Sequence, residues 1–155
     1  MEQDMNYPAI DSDANIALLQ KIYANAKTGA DATGFAIGKA RGEKLRETLK
    51  LELEGYENYL NESARLLRAA KTEPKPNGIM SRAGLWLSFH ANTLADASNR
   101  KIAEMLTESA MTGINDMIES IYDHQDAEEP AKHLAARLMQ LREKYINSMK
   151  YFLTH

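Results

Sequence analysis

Apolar residues near the end of the chain keep a strict rhythm. Ala131, Leu134, Leu138, Leu141, Tyr145, Met149 and Phe152 follow one another at steps of three or four. Only an α-helix brings residues so spaced onto one face, because its turn is 3.6 residues long. The same rhythm recurs in three other segments. A first helix is expected from Ser12–Asp13 to about Ile37, with Ile16, Leu19, Tyr23, Ala26, Ala30, Thr33 and Ile37 inward. Ser12 suits its start, since a hydroxyl can accept from an orphan backbone N–H. A second, about 43–70, turns Leu45, Leu49, Leu53, Tyr56, Leu60, Ser63 and Leu67 inward and Lys50, Glu54, Asn61 and Arg65 outward. Another, about 99–123, carries Ile102, Met105, Leu106, Ser109, Gly113, Met117 and Ile121. The last spans about 130–153.

The breaks between these segments are equally legible. Gly38 and Gly42 bracket a short turn, where left-handed backbone suits Gly. In TEPKPNGI, residues 72–79, two prolines and Asn-Gly stop a helix, because Pro lacks the N–H and disfavours helical geometry before it. A separate amphipathic piece follows over 81–96, with Leu85, Trp86, Phe89, Thr93 and Leu94 on one side. Small and capping residues in ADASN, 95–99, place a break there; one uninterrupted helix over 81–122 is the rival reading. HQDAEEP turns the chain again, with Pro130 suited to a first turn and Asp126 and Glu129 at capping-box spacing.

Short turns make antiparallel pairs of the first two and last two long helices. A connection of about 25 residues lets the second and third long helices run parallel. The expected fold is therefore all-α: a ferritin-like four-helix bundle whose long crossover contains a short extra helix. Residues 1–12, polar and containing Pro8, are expected as a flexible arm, and 13–155 as a single domain. Gly29, Gly34, Gly55 and Gly113 each cost about 1 kcal/mol inside a helix. Gly29 and Gly113 are the candidates for a close approach of the first helix to the third long one.

Composition narrows function mainly by exclusion. The formal charge is -3, and Lys and Arg are interspersed with acids, which argues against a nucleic-acid surface. The absence of Cys rules out disulfides, thiolate ligands and a cysteine nucleophile. MEQDMNYPAI is acidic and has no apolar run, so no signal peptide is expected. No stretch approaches the roughly 20 apolar residues of a membrane span. A cytoplasmic protein is the expectation.

KTGADATGF, followed after a short turn by LKLELEGYENYLNESARLL, resembles the first hairpin of bacterial ferritin-like proteins of unknown function. KIAEMLTESAMTGINDMIESI resembles the third helix of small helical proteins of Firmicutes, some described as spore-coat-like. The similarity runs from about Asn15 to Leu153, in diffuse motifs. It implies a ferritin-like bundle and, at the level of the family, an association with spores.

A ferritin-like di-iron centre uses an inward Glu from each of two helices and Glu-x-x-His from two others. No Glu-x-x-His occurs here: Glu54 is followed three residues later by Glu57, and Glu143 by Ile146. His90, His124, His133 and His155 all fall away from the middle of the long helices. The candidates for a divergent carboxylate site are Asp31 on the first helix, Glu57 on the second, and Glu104 and Glu108 on the third long one. Iron or manganese is the cofactor such a site implies. The competing reading puts these acids on solvated helix edges, since an unpaired carboxylate in a dry core costs several kcal/mol.

Other chemistry finds less support. Ser88 and His90, two apart, diverge on a helix. GKARGEK lacks the strand and spacing of a phosphate loop. The methionines at helical spacing read as core filler rather than soft-metal ligands. Tyr23, Tyr56 and Tyr145 read as core aromatics. Trp86 and Phe89 cover a bundle face or join a subunit contact. The first functional reading is a non-catalytic structural or interaction protein with no cofactor, self-associating as a homodimer or larger, with no nucleic-acid or membrane partner. The second is a ferritin-like metal-binding protein or oxidoreductase. A third is a small-molecule carrier using gaps beside the interior glycines.

Overall fold

The computed structural model describes residues 7–76 and 82–155, those of 7–12 by backbone alone. Its regular structure is five helices: α1 (Tyr7–Lys39), α2 (Glu43–Ala69), α3 (Arg82–Thr93), α4 (Asn99–Asp123) and α5 (Glu129–Thr154). The fold class is all-α.

One boundary and two details of turn and cap geometry differ from expectation, each for a local reason. Helix α1 begins at Tyr7, ahead of Ser12, so residues 7–12 belong to it; residues 1–6 of the expected arm lie outside the described residues. Pro8 falls in the first turn, where a missing N–H breaks no intrahelical bond. No glycine among the described residues has positive φ: Gly42 is the extended N-cap of α2, with φ -86°. The left-handed residue is Lys71, φ 58°, just past α2, where the Thr72 N–H reaches back to the Leu67 carbonyl at 2.9 Å. The capping box at Asp126 and Glu129 does not form either; Glu128 is the N-cap and Pro130 sits in the first turn. Between α3 and α4 the chain does break, and the Ser98 hydroxyl caps α4 by accepting from the Lys101 N–H at 3.1 Å.

Helix α1 packs against every other helix, which explains why its buried face is wide. Leu18, Ile22 and Ala36 are fully buried, whereas the expected Ile16, Tyr23 and Ile37 are only half-buried. Helix directions follow from cross-helix partners. The Asn15 side chain meets the backbone N–H of Glu128, Asn25 meets Gly113, and Gly42 lies beside Asn99, so α1 and α4 are antiparallel. Helix α1 is also antiparallel to α2 across the short turn at Ala40–Gly42. Helices α2 and α4 therefore run the same way.

The apolar interior has two parts. One joins Leu18, Leu19, Ile22, Leu67, Leu134 and Leu138 at the α4–α5 turn end. The other joins Ala36, Leu45, Leu49, Ile102, Met149 and Phe152 at the α1–α2 turn end, and takes in Phe89 of α3. Each fully buried Leu or Ile contributes about 1.5–3 kcal/mol. Helix α3 is held to α1 by that Phe89, by Arg82 on Asp31 at 2.6 Å, and by Lys39 on His90 at 3.2 Å. Trp86 remains 45% exposed, stacked on His90.

Candidate functional site

The four sequence-derived carboxylates do not meet. Asp31 is buried, and its Oδ1 lies 2.7 Å from the Lys27 ammonium and 2.6 Å from the Arg82 guanidinium, so its charge is already balanced. It shares an open groove of about 450 Å³ with Glu57, which is itself exposed. Glu104 and Glu108 lie on α4 and do not border that groove; Glu104 pairs with Arg100 at 3.6 Å. His124 closes the end of α4 through the Ser120 carbonyl, and His133 is exposed beside Glu129. Among the described residues, no group of three or more His, Asp or Glu side chains is placed to hold a metal ion.

The polar chemistry lies deeper, on residues outside the expected stripes. Arg142 of α5 is 1% exposed. Its Nε donates to Asn25 Oδ1 at 2.7 Å, one terminal nitrogen to the Asn25 carbonyl at 2.7 Å, and the other to the Tyr56 hydroxyl at 3.2 Å. Asn25 completes the chain by donating to the Gly113 carbonyl at 2.9 Å. A buried guanidinium is tolerable only when its donors are matched in this way. The network ties α1, α2, α4 and α5 together through three side chains and the carbonyls of Asn25 and Gly113.

Three glycines make room for it. A Cβ at Gly113 would collide with Arg142, one at Gly29 with the Tyr56 ring, and one at Gly55 with the Tyr145 hydroxyl. Gly29 and Gly113 thus admit side chains from α2 and α5, and Gly113 also meets α1 through the Asn25 side chain on its carbonyl. Tyr56 and Tyr145 meet edge to face, with centroids 5.2 Å apart. Side chains occupy most of the room beside these three glycines, whereas Gly34 borders an open groove of about 450 Å³.

One turn along α2 from Tyr56 lies Glu52, 4% exposed. Its Oε2 has no hydrogen-bond partner. Burial pushes its pKa up to about 8, so near neutral pH the carboxyl keeps its proton. Burial likewise raises the hydroxyls of Tyr56 and Tyr145, the latter further through Glu52. Glu52 borders a small enclosed space of about 10 Å³, lined also by Thr33, Ser109, Tyr56 and Tyr145. The expected inner stripe of α2 passes from Leu49 to Leu53; the structure turns Glu52 inward between them. A carboxylate-bridged pair of metal ions does not fit these residues: of the two buried acids among the described residues, Asp31 is paired with Lys27 and Arg82, and Glu52 is protonated near neutrality with a guanidinium beyond Tyr56.

Neither a family model, a curated protein nor a solved structure matches the chain. Function must therefore be argued from these residues.

Proposed function

We propose that the chain is a four-helix bundle of ferritin-like topology with a non-catalytic, structural or interaction role, self-associating in the cytoplasm. One observation carries the reading. Where a metal-carboxylate centre needs anionic ligands, the middle of the interior holds the Arg142 guanidinium, matched by Asn25 and Tyr56. Such a network fixes helix positions and offers no reactive group to a substrate. The antiparallel hairpins, and the common direction of α2 and α4, support the ferritin-like assignment.

Self-association finds its support on the outer face of α4. Met111, Ile118 and Tyr122 are 54%, 52% and 73% exposed, and steps of seven and four put them on one stripe. A second copy of the chain is the occupant this reading assigns to the stripe. Light scattering on the eluting protein should give a dimer or larger, and Met111→Lys with Ile118→Lys should return it to a monomer. A wild-type monomer at high concentration removes this part of the reading. Elemental analysis after growth with iron and manganese addresses the rest. One or more ions per chain, lost in Asp31→Ala or Glu108→Ala, would establish instead a metal-binding protein or oxidoreductase with a divergent carboxylate site.

A further inference from the structure

Charge decides which surface of a second copy can receive the exposed stripe of α4, Met111, Ile118 and Tyr122. From Glu104 to Asp123 the helix carries Glu104, Glu108, Asp116, Glu119 and Asp123 and no Lys or Arg. Of these acids, Glu104 alone forms an ion pair among the described residues, with Arg100. Two such stripes laid apolar residue on apolar residue, parallel or antiparallel, would bring acids against acids, and like charges in contact oppose association. A better-matched surface lies on the other side of the bundle. Helices α2 and α5 touch far less than either hairpin does, and between them runs an open groove of about 590 Å³. Leu66, Leu134 and Ala136 make its apolar part, and Arg65, Arg137 and His133 stand along it. Glu62 is the one acid of the lining and is held by Arg65 at 2.6 Å, while His133 faces Glu129 at 3.4 Å. The exposed Arg137 guanidinium makes no hydrogen bond or ion pair among the described residues, although Glu62 senses its charge.

We propose that the acidic, apolar stripe of α4 docks into the α2–α5 groove of a second copy, so that copies join head to tail. The inference rests on the self-association reading and names the two surfaces that reading would use. Charge supports it, since the acids of the stripe then meet Arg137 and Arg65 instead of one another. Length supports it too. At 1.5 Å per residue the stripe extends about 16 Å from Met111 to Tyr122, and the groove about 15 Å along α5 from Pro130 to Gln140. The apolar side chains of the stripe would cover Leu66 and Ala136, and that burial supplies affinity while the rim charges set orientation and rate. The contact has to be between chains. Helices α2 and α4 hardly touch and stand diagonally in the bundle, so one chain cannot place its own stripe in its own groove. A contact between two different surfaces leaves one of each free after every addition. Copies therefore add on until a ring closes, the smallest being a pair that exchanges both contacts, or grow into a filament.

Two variants of the full chain separate the surfaces. Met111→Lys with Ile118→Lys disables the stripe, and Arg137→Glu with Gln140→Glu disables the groove. All four positions are exposed, so both variants should keep the circular dichroism of wild type. By light scattering, wild type should self-associate and each variant alone should be a monomer. Mixed in equal amounts, the two should form a one-to-one heterodimer and nothing larger, because the mixture offers one usable stripe to one usable groove. A groove variant that assembles as wild type does, or a mixture that stays monomeric, overturns the head-to-tail contact and leaves self-association standing. A monomeric wild type removes both. Cross-linking gives a second measurement that disables neither surface, since the chain has no Cys of its own. Chains with Ile118→Cys and chains with Ala136→Cys, mixed and oxidised, should link to one another faster than either links to itself. Faster linking of Ile118→Cys chains to themselves overturns the proposal.

Discussion

Arg142 and Glu52 lie in the same interior, are hidden from water to nearly the same degree, and are handled in opposite ways. The guanidinium is matched: Asn25 and Tyr56 replace the water it lost. The carboxyl has no such partners and is held as a neutral acid by burial alone. Placing a charge inside a helical assembly thus requires either a full set of hydrogen bonds or a change of protonation state. The first solution locks geometry, whereas the second makes stability depend on pH.

The largest effect should come from breaking the matched group. Arg142→Ala leaves Asn25 unsatisfied beside a void and should lower the unfolding free energy by about 3–5 kcal/mol, read from urea denaturation. Arg142→Lys should recover little, since an ammonium cannot reproduce the fork of donors. Arg142→Leu combined with Asn25→Leu should be milder than Arg142→Ala, because nothing polar is then left orphaned.

Glu52 gives the next effect, and its sign is opposite to that of an ordinary carboxylate. The folded pKa, about 8, lies above the ordinary carboxyl value of 4.5, so folding takes up a proton between those values. The contribution of Glu52 is fully present below pH 4.5 and is lost as pH rises towards 8. At a slope of about 1.4 kcal/mol per pH unit, the loss by neutral pH is roughly 3 kcal/mol. Denaturant titrations from pH 4 to 8 should show this decline in wild type and a flatter profile in Glu52→Gln.

The glycines sharpen the contrast further. Gly113→Ala forces Arg142 aside and should destabilise by about 1–3 kcal/mol despite the better helix propensity of Ala. At Gly34, where a Cβ would meet nothing within 4 Å, the same change should stabilise by about 1 kcal/mol. The smallest effect is expected at Lys71. Its left-handed backbone suits Gly, so Lys71→Gly should gain up to about 1 kcal/mol in thermal or chemical unfolding.

Helix number, the break before Asn99 and most of the apolar face were legible in the sequence, because Leu and Ile on a 3.6-residue rhythm admit few arrangements. The polar interior was not, and the reason is specific. Leu45, Leu49, Glu52 and Tyr56 follow one another at steps of four, three and four, so Glu52 keeps the rhythm at least as well as Leu53. Likewise Leu138, Arg142, Tyr145 and Met149 form an unbroken ladder, while the neighbouring Leu141 is only half-buried. Ile22, Asn25, Gly29 and Ala32 do the same in α1. Choosing inward residues by oiliness passed over each polar residue that spacing alone would have included. The candidate acids, chosen from the edges of those stripes, were consequently scattered over surface and groove. The partnering of Arg142 depends on residues 117 positions apart in sequence, which no local pattern reveals.

The three glycine notches have a mechanical consequence. Tyr56 projects into α1 at Gly29, Tyr145 into α2 at Gly55, and Arg142 into α4 at Gly113, so each key enters a neighbouring rod at one height only. Sliding any of these rods along its axis by a turn, about 5.4 Å, would bring its key against a side chain instead of bare backbone. Leucine stripes alone tolerate such slippage. These three key-and-notch pairs set the lengthwise alignment of the whole assembly, and each pair can be exchanged only as a unit.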